Sequence, residues 1–397
     1  MEIYQFYDHI NILIKPTNSC NLRCIYCFHQ DYGYDSTFLK DETLSQFLEI
    51  TFPHYKSVSI IWHGGEPTFV GEEIFERYVE IAESYADRYQ VQLNQTMQTN
   101  GTLLNQKFLD IIKKHNIGFG ISYDGPINDI TRNSTTKLLK NMELIKKNDL
   151  NFGVITVISG ININNLRELY YQMKKLNCTL QMNYYVDTSK ASPVELLITP
   201  KQYLDAMKNL FEIWIYDEDC NIYVDPFMRM ISDIYKGFST LCARSSCLRN
   251  WLCLNPDGEL TPCDRDFPDE YSYGFVSDYD DIRKIYNSKG FNLLIKKSVV
   301  RRDKCKEECD VYALCRGGCN NNALFESGLE SNGGFSCIVT KELIRNIRKR
   351  IVDLNLFDKP ELILNPILRK SVKKLKLFDS KIWFLFANNL FESLSLL

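Results

Sequence analysis

The run Asn18-Ser-Cys-Asn-Leu-Arg-Cys-Ile-Tyr-Cys-Phe28 stands directly after an apolar, strand-like stretch, Ile10–Lys15. Its three cysteines, Cys20, Cys24 and Cys27, have a C-x3-C-x2-C spacing. Three thiolates hold a [4Fe–4S] cluster by three of its four irons and leave the last open to a ligand that is not protein. A structural zinc knuckle is the plainer account of close cysteines, but such sites pair two ligands with two more across a loop. No such partner stands nearby, because His29 would crowd four ligands into ten residues with no loop between pairs. The spacing therefore points to a cluster with one free corner, beside the aromatic Tyr26.

Short β-branched runs recur through the first half: Ile10–Lys15, Ser57–Trp62, Val91–Met97, Ile117–Ser122, Phe152–Ile158 and Thr179–Tyr185. Longer amphipathic stretches follow them, such as Asp41–Phe52, Glu72–Tyr89 and Asn164–Leu176. Six βα repeats argue for an α/β fold on a parallel sheet, doubly wound or curled into a barrel. In such folds the chemistry collects at the carboxyl ends of the strands. The cysteine run follows the first strand, Gly64-Gly65-Glu66-Pro67 the second, Thr99-Asn100-Gly101 the third, and Ser122-Tyr-Asp124-Gly125-Pro126 the fourth.

The 397 residues suffice for two domains and a substantial core. A net charge of −3 gives no field that favours nucleic acid or an anionic membrane. No basic region followed by an apolar one opens the chain, and no apolar run reaches membrane-span length. Fourteen cysteines, clustered and without an export signal, read as metal ligands in a reducing cytoplasm.

The pattern divides the chain into a βα region over residues 1–198, a helical bridge over 199–240, a cysteine-rich domain over 241–340 and a basic helical extension over 341–397. In the cysteine-rich part, Pro256-Asp257-Gly258 between two apolar runs reads as a tight hairpin. Nine cysteines stand there: Cys242, Cys247, Cys253, Cys263, then Cys305-x3-Cys309-x5-Cys315-x3-Cys319, and Cys337. They supply two complete four-thiolate sites with one to spare. Full ligation makes such clusters closed, suited to electron transfer, and a pair of four-cysteine zinc sites is the alternative. Cys178 and Cys220 are isolated and read as buried thiols.

From about Asn11 to about Val339 these residues resemble the radical S-adenosylmethionine enzymes that carry a SPASM-type auxiliary-cluster domain. The motifs are the first cysteine triplet, Gly64-Gly65-Glu66-Pro67, and Gly258-x4-Cys263 followed by the later cysteines. Within that family the phrases Leu13-Ile-Lys-Pro16, His63-Gly-Gly-Glu-Pro-Thr68, Gln98-Thr-Asn-Gly101 and Pro262-Cys-Asp264 are similar to anaerobic sulfatase-maturating enzymes and ribosomal-peptide maturases. The resemblance implies a partial (β/α)6, TIM-like barrel, then a small cysteine-rich auxiliary-cluster domain and a helical C-terminal extension. It implies three [4Fe–4S] clusters, with S-adenosylmethionine on the open iron of the Cys20, Cys24 and Cys27 cluster. Gly64, Gly65 and Glu66 would receive the methionyl ammonium, Ser122 and Asp124 would lie near the ribose, and Arg132 would pair with the carboxylate. The family's His-Asp pair ahead of that arginine is replaced here by Asn128-Asp129-Ile-Thr-Arg132.

By the same resemblance, Cys242, Cys247, Cys263 and Cys319 hold one auxiliary cluster, and Cys305, Cys309, Cys315 and Cys337 the other. The family commonly has two residues between the cysteines that correspond to Cys305 and Cys309, and this chain has three. Cys253 falls in the hairpin strand as a packing residue, with its exchange for Cys242 the open alternative. Asp264 stands where sulfatase-maturating members carry a catalytic base, and a second-shell or turn residue is the plainer account of it.

The expected function is oxidation or cross-linking of a peptide or protein by a 5′-deoxyadenosyl radical. A flavodoxin- or ferredoxin-like donor would supply the electron. A ribosomal precursor peptide is the first expectation for the substrate, on the altered cysteine spacing, on His63 before Gly64 and on the basic extension. Formylglycine formation on a sulfatase is the second, on the Cys263-Asp264 pair. With little chain ahead of Cys20, no separate leader-binding domain is expected at the amino end. A non-catalytic metal-binding scaffold is the alternative of another class, and it predicts no deoxyadenosine from reduced protein and cofactor.

Overall fold

The computed structural model describes residues 7–28, 37–188, 193–217, 219–245, 247–265 and 267–354. In chain order the first of these form β1 (His9–Ile14), α1 (Asp41–Thr51), β2 (Ser57–Trp62), α2 (Glu72–Tyr89), β3 (Gln92–Thr99), α3 (Gln106–Lys114) and β4 (Gly118–Ser122). Then come α4 (Asn128–Thr131), α5 (Thr135–Lys147), β5 (Gly153–Ile158), α6 (Leu166–Leu176), β6 (Thr179–Tyr184), α7 (Pro200–Ile215), β7 (Val224–Asp225) and α8 (Phe227–Lys236). The cysteine-rich part holds β8 (Trp251–Leu254), β9 (Leu260–Thr261), α9 (Lys289–Glu308), α10 (Tyr312–Cys315) and α11 (Asn320–Glu326), followed by α12 (Phe335–Asp353). His29 and the segments with Pro360, Pro366, Arg369–Lys376 and Ile382–Leu397 lie outside the described residues.

The chain divides into two compact units. One comprises Met1–Ser122, Arg132–Asn151 and Ser246–Val299; the other comprises Tyr123–Thr131, Phe152–Ser245 and Val300–Leu397. In the first, the strands run in the order β4-β3-β2-β1-β8-β9. β1 to β4 pair in parallel, with Ile12 opposite Ile60 and Ile60 opposite Gln95. β1 and β2 each bury five of their six residues, as parallel strands covered on both faces do. Helices α1 and α2 bury Leu44, Phe47 and Leu48, and Phe75, Tyr78 and Val79. Trp62 ends β2 with its ring edge-on to Phe75 at 5.7 Å and stacked on Tyr78 at 6.4 Å.

The hairpin over Pro256-Asp257-Gly258 is present, with Gly258 at φ 91° and Leu254 opposite Leu260. Its first strand also extends the main sheet: β8 lies parallel to β1 from Asn11 opposite Trp251 to Ile14 opposite Leu254. The local pattern gave no sign of that pairing.

In the second unit β5, β6 and β7 run parallel. The segment read as a helical bridge contains α7, α8 and, as a correction, the two-residue strand β7, too short to leave a periodic signature. Thr199 caps α7 in a reciprocal box with Gln202, with Pro200 at the first helical position. Helix α12 starts at Phe335, ahead of the Lys341 read from the charge pattern, because Gly334 supplies its N-cap. Arg350 on α12 makes a two-pronged contact with Glu212 on α7, at 2.6 and 2.8 Å. No helix among the described residues is long and apolar enough to cross a membrane.

Candidate radical-generating site

The carboxyl ends of β1, β2 and β3 meet within the first unit. Beyond Trp62 the chain hooks onto the segment that precedes Cys20. His63 N–H donates to Ile14 C=O, Gly65 N–H to Thr17 C=O, and Glu66 N–H to Ser19 C=O, at 2.9–3.0 Å. The two loops are so close that side chains are excluded. A Cβ on Gly65 would lie 2.3 Å from the carbonyl oxygens of Asn18 and Ser19, and one on Gly64, at φ +113°, would lie 2.4 Å from Thr17 O. Gly65→Ala therefore displaces the cysteine loop. The expected result is loss of most of the iron that the triplet would take up on reconstitution, measured by iron analysis beside the wild type.

Glu66 is the buried hub of this junction, 1% exposed. Its carboxylate accepts hydrogen bonds from Thr68 N–H at 3.1 Å, Thr68 Oγ1, Thr99 Oγ1 at 2.6 Å and Asn100 N–H at 2.7 Å. Hydrogen bonds to a charged group contribute roughly 1.5–3 kcal/mol each, so this set fixes the β2 and β3 loops against each other. Asn100 carries the link onward, donating through Nδ2 to Asn21 Oδ1 at 2.9 Å and to Cys20 Sγ at 3.7 Å. Leu22 N–H also points at Cys20 Sγ, at 3.4 Å. The sequence named Thr99-Asn100-Gly101 as a loop but gave Asn100 no role.

Cys24 is buried and Cys20 and Cys27 are partly so. Burial pushes the Cys20 thiol up to about 12, against the Leu22 N–H, and Glu66, Cys24 and Cys27 add to the rise. The Cys20 thiol thus needs a cation beside it to become a thiolate. In a tetrahedral zinc site, with Zn–S near 2.3 Å, the sulfurs lie about 3.8 Å apart. Among the described residues no three cysteine thiols come within 4.8 Å of one another. Three thiols on one loop suit a cluster that offers each thiolate a separate iron.

Of the other expected contacts, Arg132 and Tyr26 are brought together. The guanidinium donates to the phenol oxygen at 2.7 Å and lies 5.7 Å from the ring centre. Ser122 Oγ accepts from Gln98 Nε2 at 2.9 Å. In the second unit Asp124 is 1% exposed and accepts from Thr131 Oγ1, Thr156 Oγ1 and Val157 N–H at 2.8–3.1 Å. Its carboxylate ties the loop after β4 to β5.

Asp264 has a neighbour that the spacing could not reveal. His63 Nδ1 stands 3.5 Å from Asp264 Oδ2, and both side chains keep about a fifth to a quarter of their surface in solvent. Burial lowers the His63 pKa; Asp264 raises it and Lys15 lowers it further. Lys15 is almost fully buried at the end of β1, so histidine, carboxylate and ammonium share one corner. Beneath them Cys253 is fully buried against Leu13 and Ile61, with Trp251 and Cys263 packed alongside. Burial pushes its thiol up to about 11.

The second cysteine field is split by the two units. Cys247 and Cys263 belong to the first, and both lie beside the buried Tyr273, whose phenol is raised by burial first and by those thiols next. Cys242 and Cys319 belong to the second. Cys305, Cys309, Cys315 and Cys337 converge within the second unit. Burial pushes Cys315 up to about 11, Arg244 pulls it down, and Cys337, Cys309 and Cys305 raise it. Helix α10, which Cys315 ends, packs on the turn Cys242–Arg244. Arg301, 1% exposed, holds the neighbouring turns through Gly317 O, Leu329 O and Asn320 Oδ1. None of the fourteen cysteines is in a disulfide.

Residues 14–171 match the radical SAM superfamily. The chain carries a radical SAM domain. A cysteine-type anaerobic sulfatase-maturating enzyme of Clostridium perfringens is 25% identical over 373 residues, covering 87% of this chain and 98% of its own length. A solved structure of anSMEcpe with bound AdoMet and Cp18Cys peptide is 25% identical, with a TM-score of 0.75, covering 87% of this chain and 98% of that one. Streptococcus suis SuiB, solved with its precursor peptide SuiA, is 15% identical with a TM-score of 0.59 over 81% of this chain and 74% of its own. At that identity the likeness is one of fold alone. Residues 14–171 thus form a radical SAM domain on a parallel-sheet α/β fold, a domain that uses a [4Fe–4S] cluster with S-adenosylmethionine, and the match together with the sulfatase-maturating relatives supports an enzyme of radical chemistry.

Proposed function

We propose that the chain oxidises one residue of a peptide or protein substrate, with Cys20, Cys24 and Cys27 holding the cluster that S-adenosylmethionine meets. When bound, that pair supplies a 5′-deoxyadenosyl radical, which takes a hydrogen atom from a substrate carbon. The chain's residues do the rest. Glu66 and the Gly64-Gly65 turn hold the cysteine loop in register with the strand ends, and the glycine carbonyls and Arg132 would receive the charged ends of the methionyl group. Asp264, steadied by His63, takes the substrate proton. The four thiols of Cys305, Cys309, Cys315 and Cys337 hold one closed cluster for the departing electron. A small redox protein of the flavodoxin or ferredoxin class feeds the first cluster.

The Asp264 and His63 contact beside Cys263 carries this reading, because a two-electron oxidation must dispose of a proton as well as a hydrogen atom and an electron. Near end-to-end correspondence with the cysteine-type sulfatase-maturating relative favours formylglycine as the product, from a cysteine or serine. The extra residue between Cys305 and Cys309 favours the second reading, a thioether or carbon–carbon link in a precursor peptide. Peptides with a sulfatase-type cysteine site or a ring-forming cysteine are to be incubated with reduced, cluster-loaded enzyme and read by mass spectrometry. A hydrazide-reactive aldehyde is the expected product. A ring closed with loss of two hydrogens establishes the second reading, and deoxyadenosine without any change in peptide mass, across both substrates, overturns the pair.

A further inference from the structure

We propose a binding site for a zinc-like divalent cation on the outer helices of the first unit, formed by Glu76, Glu80 and His115. Glu76 and Glu80 lie one turn apart on α2 and so share a face. His115 caps the end of α3. One ligand atom from each of the three lies within 4.8 Å of the others, close enough for small rotamer changes to converge them on one ion.

The histidine marks the site as more than an acidic surface. Its side chain is only 5% exposed. Nδ1 faces the Glu83 carboxylate at 2.8 and 3.0 Å. That contact puts the ring proton on Nδ1 and turns the Nε2 lone pair toward Glu76. Nε2 makes no hydrogen bond, and Glu76 Oε1 stands 3.5 Å away. A carboxylate behind a histidine whose far nitrogen is free is the arrangement that orients metal-bound imidazole. Glu83 is itself anchored to the sheet: Gln95 Nε2 reaches it at 3.4 Å, and Gln95 Oε1 accepts from the buried Trp62 indole at 3.0 Å.

Lys114 now lies across the two carboxylates, with Nζ 2.7 Å from Glu76 and 3.1 Å from Glu80. Its side chain is 56% exposed, so it is a weakly held occupant that a divalent ion displaces into solvent. One imidazole and two carboxylates with a water completing the set suit zinc and its neighbours better than magnesium or calcium, which prefer oxygen alone.

The test is calorimetric titration of zinc chloride into the holoenzyme, its clusters loaded under anaerobic conditions so that the cysteines are occupied. The expected result is one saturable site. Glu80→Gln, at an exposed position, weakens it by about tenfold or more, and Glu83→Gln weakens it by roughly 10–100-fold. Lys114→Met tightens it several-fold, and His115→Ala abolishes it. No saturable binding to the wild type overturns the proposal, and so does binding that Glu80→Gln and Lys114→Met leave unchanged.

Discussion

Alanine in place of Cys24 is expected to reduce 5′-deoxyadenosine formation to background while leaving the protein folded. Cys24 is one of the three thiols proposed to hold the open cluster, and a cubane held by two is lost on reconstitution. The buried Cys24 side chain is small, and its backbone carbonyl, which accepts from Cys27 N–H at 3.0 Å, survives the change. Iron should fall by about four per chain, the content of one cubane, with the auxiliary iron retained. Chromatography of the nucleoside, iron analysis and circular dichroism on one preparation decide it. Persistence of deoxyadenosine in the variant would remove the radical site from this loop. Cys253→Ala is the control: it leaves iron unchanged and costs roughly 1–2 kcal/mol through the void it opens in a sealed core.

Asparagine in place of Asp264 is expected to separate the two halves of the reaction. The first half rests on the cysteine triplet and the loops that Glu66 ties, whose hydrogen bonds at Glu66 are kept in this variant, so deoxyadenosine continues to form. The second half loses its proton acceptor, and modified peptide falls by about 10²–10⁴-fold. His63→Gln keeps a nearby polar group and loses less, because histidine steadies the carboxylate without replacing it. Burial keeps His63 below its ordinary pKa, so it is neutral near pH 7 and leaves the aspartate's charge uncancelled. The ratio of deoxyadenosine to modified peptide is the measurement. A ratio near one in Asp264→Asn would show that the proton leaves by another route.

β1 and β2 were legible because they are buried on both faces and read as short runs dominated by apolar residues. His-Ile-Asn-Ile-Leu-Ile of β1 and Ser-Val-Ser-Ile-Ile-Trp of β2 are examples, and α2 was read to its observed bounds. The hairpin was legible through Pro256-Asp257-Gly258. β7 was not, since two residues carry no period. The pairing of β8 with β1 was hidden because nothing local distinguishes a strand that will sit beside a distant partner. At the site, cysteine spacing found the thiols, while their surroundings stayed dark. Glu66 was read as a ligand to an ammonium, and its four protein donors come from residues up to 34 positions away. Asp264 was singled out by its cysteine neighbour, yet His63, which faces it, lies on another strand end. Spacing encodes what a loop can bind; what holds the loop is written in contacts between loops.

The insertion of β8 beside β1 bears on how the chain is born. Asn11 leaves the ribosome about 240 residues before its partner Trp251. At roughly 5–20 residues per second the apolar border of β1 stays bare for tens of seconds, an invitation to stray strands and a natural port for chaperones. A nascent fragment released before Leu254 would keep the cysteine triplet but lack the rib that closes the flank of β1.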